Sequence, residues 1–151
     1  MTTNCLRCVN MVVQLPDKRI LLHRPNGNAQ WSMTIERYIL PTESPLGFVN
    51  DILWNLFGID PFNYNDNFAE IKRYPPTKGD VQDKNIIVYI MKLKSAIAFQ
   101  AKPTDQFKAV QWDILLREIM RNSIYVGYDS RPEHTPNSVI VARELHIKEV
   151  F

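Results

Sequence analysis

An α+β fold, with a mixed β-sheet flanked by helices, is the class that this 151-residue sequence predicts. Three observations carry that expectation. Residues 85–93, NIIVYIMKL, form the strongest strand signal in the chain and are apolar enough for the centre of a sheet. Ser44-Pro45 and Thr135-Pro136 each present a capping hydroxyl followed by a proline, the combination that opens a helix. The order of elements is a strand hairpin, an extended segment, a helix, several strands and two late helices.

The elements follow in sequence. Residues 6–14 and 19–22 read as two strands, the first carried by Val9, Met11, Val12 and Val13 and the second by Ile20, Leu21 and Leu22. The turn between them is Leu15-Pro16-Asp17-Lys18. Residues 25–28, Pro-Asn-Gly-Asn, form a loop, because proline fixes φ and Asn-Gly accepts positive φ. Trp31 opens a segment that is extended through Ile39 and Leu40.

A helix then runs from Ser44-Pro45 to Gly58, a residue suited to the left-handed C-terminal conformation, and Asp60-Pro61 prevents continuation. Leu46, Val49, Leu53, Leu56 and Phe57 fall on one stripe at helical spacing. Phe48 and Trp54 make the helix apolar around much of its circumference, and core packing is the expectation for most of these side chains. Residues 68–74 read as a strand, 75–80 as a loop, and 109–112 as a short strand. A helix over 113–121, capped by Asp113, comes next. Residues 130–134 are a loop, and the last helix extends from Thr135-Pro136 through His146.

Composition bounds the rest. A hydrophobic share of 45% with 23% charged residues describes a globular chain, read as one domain over residues 1–151. Eighteen basic against sixteen acidic side chains leave a net charge of +2, too balanced for a nucleic-acid binder. No apolar stretch reaches the roughly 18 residues of a membrane span, so no membrane partner is expected. The opening residues lack the basic start and apolar core of a signal peptide, which makes a cytoplasmic location the expectation.

Cys5 and Cys8 stand in a C-x-x-C spacing. A zinc site needs further ligands, and His23, His134 and His146 are scattered. Two reduced thiols are the preferred reading. Lys72, Arg73 and Lys78 beside Tyr74 are read as scattered surface charge, and the aromatics of residues 125–129 as loop packing.

One segment points further. Residues 31–60, WSMTIERYILPTESPLGFVNDILWNLFGID, resemble the signature segment of the Nudix (MutT-like) family, with most of its metal-binding acids replaced. That box reads Gly, five residues, Glu, seven residues, then Arg-Glu-apolar-x-Glu-Glu-x-Gly-apolar. Registered on Gly58 and Ile59, Glu43 matches the first Glu and Leu53 the inner apolar position. Arg37 stands for the box Gly, Asp51-Ile52 for Arg-Glu, and Asn55-Leu56 for Glu-Glu. The resemblance extends to Trp112 with its following helix and to His134-Thr135-Pro136 before the last one. It implies a Nudix fold, a mixed sheet sandwiched between α-helices, with the box as a loop–helix–loop.

The chemistry implied by the family depends on carboxylates that hold Mg²⁺ or Mn²⁺ against a pyrophosphate. Positions 52, 55 and 56 share a helix face. Here they are Ile52, Asn55 and Leu56, which cannot supply that set. No cofactor is therefore expected. Glu36, Glu43 and Asp51 are the residual acids that could hold Mg or Mn in a rearranged site, with Glu43 and Asp51 then catalytic. Otherwise Glu43 serves the helix N-terminus and Asp51 is a solvated helix residue. Arg37 either contacts a ligand phosphate or lies on the surface. Arg37 and Glu43 are the ligand-binding candidates.

Three functions follow. The chain binds a nucleotide or nucleoside diphosphate-linked metabolite without efficient hydrolysis. Alternatively, it is a divergent pyrophosphohydrolase. In the third, the apolar box helix is a protein-interaction surface. The resemblance and that helix also make a homodimer an expectation.

Overall fold

A computed structural model describes residues 7–24, 30–58, 69–78, 85–94, 106–124 and 134–151. Strand β1 (Arg7–Gln14) runs through the middle of a mixed sheet. It pairs in parallel with β5 (Asn85–Leu93) along its whole length, from Arg7↔Asn85 to Gln14↔Lys92. On its other edge it meets two partners in turn. Near the hairpin it pairs with β2 (Ile20–Arg24) at Gln14↔Ile20, and towards its start with β3 (Ile35–Ile39), both antiparallel. β6 (Gln106–Val110) lies outside β2, and β4 (Ala69–Lys78) outside β5. The path is β4-β5-β1-β2-β6, with β3 branching from β1.

Alternation along β1 splits the core in two. Val9, Met11 and Val13 face helix α1 (Pro45–Phe57) and join Phe48, Val49, Ile52, Leu53 and Phe57 in one cluster. Val12 points the other way. It packs with Ile86, Val88 and Ile90 beneath α2 (Trp112–Ile124) and α3 (Pro136–Ile147), which contribute Leu115, Ile119, Val141, Ala142 and Leu145. Each such side chain contributes about 1.5–3 kcal/mol when withdrawn from water. The expected sandwich is present: among the described residues, a six-stranded mixed sheet has one helix on one face and two on the other.

The caps act as their chemistry requires. Ser44 accepts from Leu46 N–H, Pro45 takes the first helical position, and Gly58 closes α1 at φ 66°. Thr135 accepts from Ser138 N–H ahead of Pro136.

Several expectations change. The stripe of α1 is rotated: Phe48 and Ile52 turn inward, Leu56 is half-buried against the same cluster, and Leu46 lies outside. Trp54 is 58% exposed, not core. On a helix apolar nearly all round, composition does not select the buried face; the position of the sheet does. β4 continues through residues 75–78, where a loop is expected, with a register shift between Tyr74 and Thr77. β4 ends the path of the sheet, and an edge strand with a bulge tolerates Pro75 and Pro76 because neither has an N–H to pair. α2 begins at Trp112, so Asp113 lies within its first turn, and the carbonyl of Gln111 accepts from Leu115 N–H.

Cys8 is a buried thiol in no disulfide among the described residues, while Cys5 lies outside them. So do the 25–28 loop, Asp60-Pro61, Gly79-Asp80 and residues 125–133. Among the described residues no helix is long and apolar enough to cross a membrane.

Candidate functional site

Two regions draw attention, one on each face of the sheet. The first is the box helix with the loop before it. Arg37 sits opposite Val9 in the β1–β3 ladder and faces α1. Its Nη1 donates to Asp51 Oδ2 at 3.0 Å, and its guanidinium lies 5.0 Å from the centre of the Phe48 ring. Both charged groups remain about half exposed, at 44% and 55%, so the pair contributes less than about 1 kcal/mol.

Glu43 is occupied by its own loop. Its carboxylate accepts from Leu40 N–H at 3.0 Å, and its N–H donates to Leu40 O at 2.9 Å. Arg7 fastens this turn to the start of β1. Its Nη2 donates to the carbonyls of Leu40, Pro41 and Glu43 at 3.0, 2.8 and 2.6 Å. Arg7 has no signal in the sequence, because its partners are all main-chain oxygens more than thirty residues away.

Glu36 does not join these groups. It pairs with Asn10 in the ladder, one residue from Arg37, and therefore lies on the opposite sheet face from Asp51. Ile52 is in the core and Asn55 is exposed. Among the described residues, no three His, Cys, Asp or Glu side chains form a group able to hold a metal ion. The placement does not fit one hard cation shared by Glu36, Glu43 and Asp51.

The second region lies in the fork where β1 and β2 diverge. Residues 31–34 enter it, with Ser32 bridging His23 through two main-chain bonds of 2.8 Å. The N-terminus of α3 closes over them. Ser138 Oγ accepts from Met33 N–H at 3.0 Å and lies 2.8 Å from Thr135 Oγ1, while Ser32 Oγ donates to Thr34 O at 2.6 Å. Thr135 N–H donates to Trp31 O at 3.0 Å, and His134 bridges Trp31 in parallel.

Two buried side chains on this face are incompletely matched. His134 Nε2 lies 3.3 Å from Glu118 Oε2, and its Nδ1 has no partner among the described residues. Asn10 Nδ2 donates to Cys8 O at 3.2 Å, and its Oδ1 is likewise unmatched. The carbonyl at Cys8 fixes the orientation of the Asn10 amide, since only the NH₂ end can donate to it. Likewise a neutral His134 that donates from Nε2 to the Glu118 carboxylate leaves Nδ1 as an acceptor. Asn10 Oδ1 is thus an acceptor, as is His134 Nδ1 in that tautomer, and each costs about 1–3 kcal/mol while it stays unpaired. Glu118 is 41% exposed, which places His134 just beneath the surface. The sequence marks His134 only as a scattered histidine and as part of the turn before α3, and it passes over Asn10, although that is the lone amide within the apolar run of β1, RCVNMVVQ, before its last residue.

No protein-family model and no curated protein sequence matches the chain. Solved structures do. DR0079 from Deinococcus radiodurans aligns with a TM-score of 0.65 at 11% identity, over 92% of this chain and 81% of its own. A MutT protein from Bacillus halodurans aligns with a TM-score of 0.52 at 13% identity, over 91% and 80%. At such identities the likeness is one of fold, and the fold is Nudix-like.

Proposed function

We propose that this Nudix-fold chain binds a nucleotide or a nucleoside diphosphate-linked metabolite without hydrolysing it efficiently. One observation carries the reading: the acids nearest the box helix serve the structure. Asp51 is paired with Arg37, and Glu43 holds the 40–43 turn. Metal-assisted attack on a pyrophosphate needs free carboxylates converging on one cation. The unmatched acceptors at Asn10 and His134 support a ligand that presents N–H or O–H donors, as the amino edge of a nucleobase does. The ligand's identity rests on the fold and this donor–acceptor match.

The test combines a phosphate-release screen over nucleoside diphosphate-linked compounds, with Mg²⁺ and Mn²⁺, and a thermal-shift screen of the same compounds. Stabilisation without turnover is the expected result. Turnover abolished by Asp51→Asn or Glu43→Gln would instead establish a divergent hydrolase with rearranged ligands. So would a tight, stoichiometric Mn²⁺ site in calorimetry that Glu43→Gln removes.

A second reading, an interaction surface on α1, draws support from Trp54 and Leu46, each 58% exposed. Light scattering across a concentration series, with Trp54→Ala beside the parent, tests it. A stable dimer lost in the variant favours that reading.

A further inference from the structure

The outward face of α1 carries a pattern that matches itself. Leu46, Asn50 and Trp54 stand at i, i+4 and i+8 along it, so Leu46 and Trp54 lie four residues to either side of Asn50. All three are exposed, Leu46 and Trp54 at 58% each. Gly47 is exposed on the same face, seven residues and about two turns before Trp54. Nothing within the chain calls for that glycine. Among the described glycines only Gly58 has a positive φ, and a Cβ placed on Gly47 would meet nothing within 4 Å. Glycine also weakens a helix interior relative to alanine. Open space on a face that also exposes a tryptophan is a seat for a bulky side chain from outside.

Charge narrows what that side chain belongs to. Asp51 is the one charged residue of α1, and Arg37 pairs with it. The face therefore offers no unpaired charge to a phosphate, a lipid headgroup or a charged segment. Two copies of it meet without like-charge repulsion. The Asn50 amide, both donor and acceptor, complements its own image.

We propose that a second copy of this chain covers the face, with the two α1 helices antiparallel about a two-fold axis at Asn50. Such an axis sets each residue before Asn50 against the one equally far after it in the other copy. Leu46 then meets the partner's Trp54, and the exchange is reciprocal. A helical side chain leans towards the N-terminus of its own helix, so the indole of the partner's Trp54 falls over Gly47. The glycine leaves room for it. The inference rests on the reading of α1 as an interaction surface and gives that surface an occupant and a register.

Sedimentation equilibrium of the whole chain over a concentration series tests this, with circular dichroism to verify that each variant folds. The parent forms a dimer, and Trp54→Ala and Gly47→Leu each weaken it at least about tenfold, the loss of one central apolar contact. Gly47→Ala separates the seam from the helix itself: it raises the unfolding temperature of the dilute chain and yet weakens the dimer. Asn50→Cys, on the axis, gives an oxidised dimer above the background of the parent, and Asn55→Cys does not. A dimer that Trp54→Ala removes, but that ignores Gly47→Leu and does not cross-link at position 50, overturns the two-fold seam and leaves α1 an interaction surface. A dimer indifferent to both Trp54→Ala and Gly47→Leu overturns the seam and that reading together. A parent that stays monomeric throughout the series overturns the seam alone.

Discussion

Arg37 donates to Asp51 at 3.0 Å, and these are the two residues that the sequence resemblance aligns with the first Gly and the Arg of the Nudix box. The two positions are thus not independent. A cation enters β3, an anion enters α1, and the pair joins strand to helix over the buried Phe48.

A double-mutant cycle measures that link. Arg37→Gln or Asp51→Asn alone is expected to cost less than about 1 kcal/mol in urea unfolding, given the exposure of both groups. The pairwise coupling energy should be positive and should shrink in high salt. A coupling of zero at low salt would show that the contact contributes nothing.

Glutamates placed at positions 52 and 55, where the resemblance aligns box acids, test the surroundings of those two side chains. Ile52 is 6% exposed within the α1 core, so Ile52→Glu should destabilise by about 3 kcal/mol or more. Asn55→Glu places its charge in water and should stay within about 0.5 kcal/mol of the parent. Equal urea midpoints for the two variants would contradict the placement of Ile52.

The two ends of α1 can be tested singly. Ser44→Ala removes the acceptor for Leu46 N–H and should cost about 1 kcal/mol. Gly58→Ala forces a Cβ into the left-handed conformation at φ 66° and should cost at least about 1 kcal/mol. Thermal unfolding of each variant gives the comparison.

Arg7→Gln should loosen the turn before α1. One guanidinium nitrogen serves three carbonyls there, and its loss is expected to cost about 1–3 kcal/mol. Amide exchange of residues 40–43 should quicken more than exchange in β5. Uniform acceleration across the chain would mean that Arg7 supports the whole fold and not this turn.

Asn10→Val tests whether the unmatched amide oxygen belongs to the proposed ligand site. It removes an unmatched buried acceptor from a central strand and should raise stability by about 1 kcal/mol. The same change should lessen the thermal shift produced by any nucleoside ligand. A stabilised variant that keeps its full ligand response would exclude Asn10 from the site.

Local chemistry by itself determined a good part of this protein. The limits of α1 follow from Ser44-Pro45 and Gly58, the start of α3 from Thr135-Pro136, and β5 from an unbroken apolar run, because these signals act within a few residues of backbone. The α+β class and the Nudix-like order followed from the same signals. Tertiary structure alone decided which side chains of α1 turn inward, because several apolar faces compete until the sheet lies against one of them. It alone held Glu36 on the far face of the sheet, closed Arg37 onto Asp51, and spread Arg7 over three carbonyls distant in the chain. It also brought Arg24 and Lys108 to the Trp31 ring through a ladder between strands 82 residues apart, as Arg24 and Gln106 are. Residue identities specify what each group can bond to; the fold specifies which group it meets.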